Sequence, residues 1–283
     1  MNKEIQTYIL PDHFVAKEVY QNYGVLIRHH HATQTTLKNR IILKMHMINI
    51  LISGAKTIVL PHGIETISDQ QLVLLTKGHI LTSEVIANEA PFESIILYFS
   101  DQVLHEFLIQ HVNQKPENNP EYIFEKDDFI NYYVSSIRLL KNNKNLALNL
   151  VKLHELLLYL SNLQPGILST LYKTVSAQSE LHIQEVVSRH VINPVTVEEL
   201  AFLCNMSLST FKRKFQQLYN TTPRQWLIDQ KLELAYRLLR LPENLPSTIY
   251  MKVGYQNHSS FTHAFKTRYG LSPSEYQQQF MNI

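Results

Sequence analysis

The sequence predicts an α+β chain with a β-rich front part, a helical middle and an all-α back part built on a repeated helical unit. Three observations carry that prediction. Short runs of β-branched and aromatic residues, broken by Gly, Pro, Asn and Asp, fill the first 110 or so residues. From Ser100 the apolar residues recur at helical spacing. The stretch STFKRKFQQLYNTTP at 209–223 returns fifty residues later as SSFTHAFKTRYGLSP at 259–273.

Composition sets the frame. Hydrophobic residues make up 45% and charged residues 18% of 283, which excludes a disordered chain and leaves room for two cores. Cys204 stands alone, so neither a disulfide scaffold nor a cysteine-based zinc site is expected. The opening MNKEIQTYILPDHFVAKEVY lacks the apolar core of a signal peptide, and LLLYL at 156–160 is too short to span a bilayer. The expectation is a cytoplasmic protein with no membrane partner.

In the front part, TYIL, GVLIRHH, MINILISG, KTIVL, QLVLLTKG and SIILYFS read as strands, with SGAK, LPHGIE and ANEAPFES between them. Strands at this spacing predict a sandwich (jelly roll) or small barrel over residues 1–110. Helices are predicted at 100–111, 128–140 and 145–163, the last two within a helical segment 111–165. In the last, Leu146, Leu150, Leu153, Leu157 and Leu160 form a stripe that suits either a dimer interface or cover for the domain's own sheet. QPG and small polar residues mark 166–178 as a linker, and residues 179–283 read as helical nearly throughout.

The repeat parses as two helix-turn-helix units. Thr196 and Glu199 make a capping box, Asn205 supplies a left-handed turn residue, and Ser207 caps a second helix that buries Phe211 and Phe215. Ser209, Lys212, Arg213 and Gln216 lie on the other face of that helix, where Arg and Lys can donate to guanine and Gln to adenine in a major groove. In the second copy Ile249 and Val253 are the core positions and Gly254 takes the turn. Phe261 and Phe265 face inward, while Ser259, Ser260, Thr262, His263 and Lys266 face outward. Residues 224–240 form one amphipathic helix between the copies. At 1.5 Å per residue it is about 25 Å long, the scale that separates successive major grooves.

Charge placement agrees with that reading. From Gln178 onward eleven basic residues face eight acidic ones, against fifteen and sixteen before it. Residues 205–224 and 244–274 hold no carboxylate at all, so both copies are locally cationic, as a polyanion-binding face requires.

The order of features from Pro194 to Tyr276 resembles the DNA-binding domain of the AraC/XylS family of bacterial transcription regulators. The matching pieces are TVEELAFLCNMSLSTFKRKFQQLYNTTPRQWL, QKLELAYRLL and KVGYQNHSSFTHAFKTRYGLSPSEY. The resemblance implies seven helices and two helix-turn-helix units in adjacent major grooves. Carried over by position, it implies base contacts from Ser209, Lys212, Arg213, Ser259, Ser260 and His263. Backbone contacts would come from Thr222, Arg224, Lys266 and Ser272. His263 departs from the family's frequent Arg, and PSTIYMK, with Pro246 and Tyr250, departs from its usual first helix. A cupin-like regulatory domain over 1–110 and a helical dimerisation segment over 111–165 also fit the family, and APFESIILYFSDQVLHEFL and KLHELLLYL resemble its ExsA-like subgroup. The implied partners are double-stranded DNA, RNA polymerase, a second copy of the chain, and an effector that is either a small molecule or a regulatory protein.

Two other classes compete with this regulator. A metal-dependent cupin enzyme with an accessory DNA-binding domain needs an H-x-H with a further Glu and His. His29-His30-His31 point alternately to opposite faces of a strand, and His46 and His62 stand alone. His154-Glu155 lacks the second His of a zinc-protease motif, since Leu158 holds that place, and no nucleophile elbow, P-loop or dinucleotide motif occurs. No enzyme activity, metal or cofactor is expected, and His29–His31 read as an exposed strand edge. An RNA-binding protein needs exposed aromatics, whereas Phe211, Phe215, Phe261 and Phe265 are required by the core.

Overall fold

The computed structural model describes residues 6–21, 23–86, 91–111, 122–140, 146–174 and 181–281. They fall into two compact units, residues 1–60 with 64–179 and residues 61–63 with 180–283.

The first unit is a sandwich of two five-stranded sheets. Its strands are β1 (Thr7–Leu10), β2 (Val25–Ala32), β3 (Thr36–Leu43), β4 (His46–Ser53), β5 (Ala55–Leu60), β6 (Gly63–Ser68), β7 (Gln71–Leu75), β8 (Gly78–Val85), β9 (Phe92–Phe99) and β10 (Ile123–Glu125). One sheet runs β1-β3-β8-β5-β6 and the other β10-β7-β4-β9-β2. β1 lies parallel to β3, while β8 and β9 pair antiparallel with both their neighbours. Alternation along the strands sends Ile41, Ile58 and Ile80 of one sheet against Met47, Leu51 and Ile96 of the other in a single inner core. β3, β6, β8 and β10 were not among the predicted strands; GIETIS, expected partly as a turn, is β6, and β10 lies within the segment 111–165 expected as helical.

The helices of this unit are α1 (Glu18–Gln21), α2 (Asp101–His111), α3 (Asp128–Leu139), α4 (Leu146–Leu163) and α5 (Ile167–Thr174). α2, α3, α4 and α5 cover the outer face of the second sheet, whereas Tyr20 of α1 enters the core between the sheets. Ile48, Ile50, Leu72, Leu74, Ile95 and Leu97 of the strands share one core with Phe107, Ile130, Tyr133, Leu153, Leu157 and Leu160. The continuous apolar runs of β4 and β9 follow from this, because both of their faces are covered. Leu153, Leu156, Leu157 and Leu160 are therefore fully buried within the unit, and this part of the stripe covers the domain's own sheet.

The expected linker at 166–178 needs correction. Residues 167–174 form α5, and Ile167, Leu168 and Leu171 enter the same core, an apolar i, i+1, i+4 set that outweighs the preceding QPG. Residues 175–178 lie outside the described residues, as does Asn145 of the predicted 145–163 helix.

One buried histidine couples this unit to pH. His46 is fully buried and stacks 5.2 Å from the Phe99 ring. Burial pushes its imidazole down to about 4, while the Asp101 carboxylate 3.1 Å away pulls upward and Lys77, which pairs with Asp101, pushes down again. The unfolded chain binds the proton near pH 6.5, so stability falls as pH drops from 6.5 through about 4. The full loss is on the order of 3 kcal/mol. Thermal melts of wild type and His46→Gln from pH 7 to 4 should show the wild type losing more. Parallel curves would mean that His46 does not titrate as described.

The second unit is all α, with α6 (Leu181–Arg189), α7 (Val197–Leu203), α8 (Leu208–Tyr219), α9 (Pro223–Leu238), α10 (Ile249–Lys252), α11 (His258–Tyr269) and α12 (Pro273–Met281). Leu232, Ala235, Leu239, Ile249, Val253, Phe261, Phe265 and Tyr276 form a core around the C-terminal half of α9. No described helix of the chain is long and apolar enough to cross a membrane.

Candidate nucleic-acid interface

The sequence repeat is a repeat of packing. In α8 the Phe211 and Phe215 rings lie 5.7 Å apart, and in α11 Phe261 and Phe265 lie 5.7 Å apart. Phe215 meets Tyr219 at 4.5 Å and Trp226 at 5.8 Å; Phe265 meets Tyr269 at 4.7 Å and Tyr276 at 5.8 Å. All four phenylalanines are fully buried, so the opposite face of each helix must face outward.

Caps hold both helices at matching places. Ser207 accepts from the Thr210 amide at 3.2 Å, and Asn257 accepts from the Ser260 amide at 2.8 Å. Asn220 and Gly270 end the helices in left-handed conformations, with φ 51° and 78°. The predicted capping box upstream is present: the Glu199 amide donates to Thr196 and the Thr196 amide donates to the Glu199 carboxylate.

The two units differ at the turn. Four residues, 204–207, separate α7 from α8, whereas five, 253–257, separate α10 from α11. The left-handed turn residues are Asn205, with φ 55°, and Gly254, with φ 76°. Gly254 has a second constraint, because a Cβ there would lie 2.3 Å from the Ile192 carbonyl oxygen. Its own carbonyl accepts from Lys231 Nζ of α9 at 2.8 Å. The buried Asn244 accepts from Lys252 at 2.7 Å and donates to the Leu238 carbonyl, and Gln277 donates to the Asn244 carbonyl. Lys231, Asn244 and Gln277 position the second helix-turn-helix copy and carry no sequence signal, since their partners are up to 38 residues away.

On α8, Ser209, Lys212, Arg213 and Gln216 are all exposed, and on α11 so are Ser259, Ser260, His263 and Lys266. Thr262 departs from expectation: its hydroxyl is buried and faces inward. Thr222 and Ser272, fifty residues apart, are the N-caps of α9 and α12. Thr222 accepts from the Gln225 amide, and Ser272 forms a capping box with Glu275. Each hydroxyl that accepts from an amide keeps its own proton to donate. Lys212 and Gln216 of α8 share one groove of about 500 Å³ with Thr222 and Arg224 at the start of α9 and with Glu198 of α7. Four of the predicted contact residues thus converge on a single cleft beside a helix N-terminus, which favours anions.

Cationic character is unequal between the units. In the second, Arg268 is paired with Asp229 of α9 and Lys252 with Asn244, leaving Lys266 as the exposed lysine of α11. The first presents Lys212, Arg213 and Arg224. The Asp229–Arg268 pair, 39 residues apart, was not legible from the acid-free run around Arg268.

This is the geometry of a two-headed helix-turn-helix module following a β-sandwich. Residues 200–279 match the family described as helix-turn-helix domain, and residues 46–169 match the ExsA N-terminal regulatory domain. The chain carries an AraC-type helix-turn-helix domain behind an ExsA-type regulatory domain. Among curated relatives it is similar to the HTH-type transcriptional regulator AlkR of Acinetobacter baylyi, 41% identical over 86 residues, covering 30% of this chain and 28% of that one. It is also similar to the HTH-type transcriptional regulator ExsA of Pseudomonas aeruginosa, 27% identical over 129 residues, covering 45% and 46%. Matches of this kind span less than half of those two relatives. Among solved structures, ToxT from Vibrio cholerae superposes with a TM-score of 0.39 at 13% identity, covering 92% of this chain and 98% of that one.

Proposed function

We propose that this protein is a sequence-specific, DNA-binding transcription regulator that reads two adjacent major grooves with α8 and α11. The carrying observation is that two copies of one packing unit expose the predicted base-reading side chains on the faces opposite their buried phenylalanine pairs. Ser209, Lys212, Arg213 and Gln216 read bases in the first unit, and Ser259, Ser260 and His263 in the second. Thr222, Arg224, Lys266 and Ser272 hold phosphates. The family matches support the reading. So does similarity to the virulence regulon transcriptional activator VirF of Yersinia enterocolitica, 25% identical over 130 residues and covering 46% of this chain and 48% of that one, which favours an activator.

In the same reading, residues 1–165 are a cupin-like regulatory domain with a dimerisation segment, and residues 179–283 bind DNA. The protein acts in the cytoplasm as a homodimer, contacts RNA polymerase and has no catalytic role. The alternative reading is a metal-dependent cupin enzyme with an accessory DNA-binding domain.

Selection of binding sites from randomised DNA by the full chain tests this. The wild type should enrich one motif with two parts about a helical turn apart. Arg213→Ala should flatten one position of it and weaken specific binding by about 1–3 kcal/mol. Lys266→Ala should weaken all sequences alike and lower the salt slope by about 1. If no motif is enriched, or if Arg213→Ala leaves it unchanged, the assigned register is wrong.

A further inference from the structure

The two helix-turn-helix copies differ in charge on the face that the proposed function turns to DNA. KRK at 212–214 of α8 is answered by THA at 262–264 of α11. His263 therefore stands where Arg213 stands in the first copy, and both side chains are exposed. Thr262 takes the place of Lys212 and buries its hydroxyl, and Ala264 takes the place of Lys214. Where the first copy has three cations, the second has one titratable ring.

The groups packed around α11 do not restore that charge, and none of them occupies His263. On α11 itself, Arg268 is paired with Asp229 of α9. Lys266 is exposed but near Glu275 of α12, whose carboxyl is held below its ordinary value by hydrogen bonds from Ser272 and, less, by Lys266. From α9, Glu233 accepts from the Tyr269 hydroxyl at 3.3 Å, and Lys231 donates to the Gly254 carbonyl. From α10, Lys252 donates to Asn244, and the Tyr250 ring lies edge-on to His258 at 5.8 Å. Tyr255 packs edge-on to Phe261 at 5.4 Å. Among the described residues no carboxylate pairs with His263, so its imidazole stands open to whatever enters from outside.

Histidine is the side chain whose charge changes in the range from pH 5 to 8. Neutral imidazole has one N–H donor, whereas imidazolium has two and carries a full positive charge. Guanine offers two acceptors in the major groove, N7 and O6, and phosphates flank the groove on both sides. We propose that His263 makes the second copy a proton-dependent reader of DNA, one that recognises an acceptor-rich base edge as imidazolium and loses that preference when neutral. The first copy reads with a lysine and an arginine, side chains that stay charged through this range. DNA therefore binds the protonated form better, a proton is taken up on binding, and affinity rises as pH falls. This inference rests on the reading of α8 and α11 as DNA readers and adds to it a specificity-determining residue with its own input.

Fluorescence anisotropy on the full chain tests this, with the duplex enriched from randomised DNA as probe and one salt concentration throughout. From pH 8 to pH 6 the wild type should bind that duplex about tenfold more tightly. His263→Arg should bind tightly and lose most of the pH dependence, and His263→Gln should bind weakly and lose it as well. His258→Gln, which removes the other exposed histidine of α11, should keep it. His46 is common to all these variants, so its effect on stability cancels in the comparison. Selection repeated at pH 6 and pH 8 should change base preference only in the half-site that Arg213→Ala leaves intact. The inference is overturned if wild-type affinity is the same at both pH values, if His263→Gln keeps the wild-type dependence, or if His258→Gln abolishes it. Each of those results leaves motif binding in place, so the two-headed reading would stand without this addition. If no duplex is enriched at any pH, that reading and this inference fall together.

Discussion

Gly254→Asn should destabilise the second unit by on the order of 3 kcal/mol or more, even though asparagine serves at the matching turn of the first. Both turns use a left-handed residue, Asn205 at φ 55° and Gly254 at φ 76°, and asparagine visits that region at little cost. The difference is space. A Cβ at 254 would sit 2.3 Å from the Ile192 carbonyl oxygen and 2.9 Å from its carbon, both backbone atoms that cannot rotate away. Moving the turn would also stretch the bond from Lys231 to the Gly254 carbonyl, now 2.8 Å. Because α11 leaves this turn, its exposed Ser259, Ser260 and His263 would lose their placement with it. Urea titrations of wild type, Gly254→Asn and Asn205→Gly measure the effect. The 205 variant should stay within a few tenths of a kcal/mol of wild type. Equal behaviour of the two variants would show that only the backbone angle matters at 254.

Phe215→Ala and Phe265→Ala should each cost about 3–5 kcal/mol, a large fraction of a domain's stability. Both rings are fully buried, and each contacts three aromatic neighbours at similar distances. The losses should therefore be alike, but the signals should not. Trp226 is the chain's one tryptophan, and it lies 5.8 Å from Phe215 and 5.0 Å from Tyr219 in the first helix-turn-helix copy. Its fluorescence should change in the folded state of Phe215→Ala and remain near wild type in folded Phe265→Ala. Far-UV circular dichroism should follow both units together. If the two variants differ by more than about 2 kcal/mol, the copies are not energetically equivalent despite matched packing.

Much of the second unit was legible because its signals are local. The capping box at Thr196 and Glu199, the cap at Ser207 and the phenylalanine pairs all act within a few residues, so spacing alone reveals them. The exposed residues of α8 and α11 followed by subtraction from the buried ones. What failed did so for non-local reasons. Thr262 reads as outward by sequence neighbourhood, yet its hydroxyl is buried. Arg268 reads as available cationic charge, yet Asp229, far off in the chain, takes it up.

The first unit was harder to read. Apolar alternation marked most strands, but β3, with Lys38, Asn39 and Arg40, and β8, with His79, Ser83 and Glu84, carry polar residues that hide the pattern. Asn39 and Glu84 line a cavity inside the sandwich, where polarity serves the interior rather than the surface. His30 shows the same inversion: a histidine of an edge strand whose ring points inward to Glu84.

By itself, then, the sequence determined the class of each half, the fifty-residue repeat, the helix caps and which side chains of α8 and α11 are exposed opposite the phenylalanine pairs. Each of these depends on periods and hydrogen bonds that close within a turn or two of chain. The tertiary structure alone decided that the leucine stripe covers its own sheet, that residues 167–174 belong to the core, and that Gly254 is held by close approach. It also decided that His30, Lys56 and Glu84 line one cavity of the sandwich. These outcomes rest on contacts between residues tens of positions apart, and one chain read in order does not reveal which distant residue will arrive to cover, pair or crowd another.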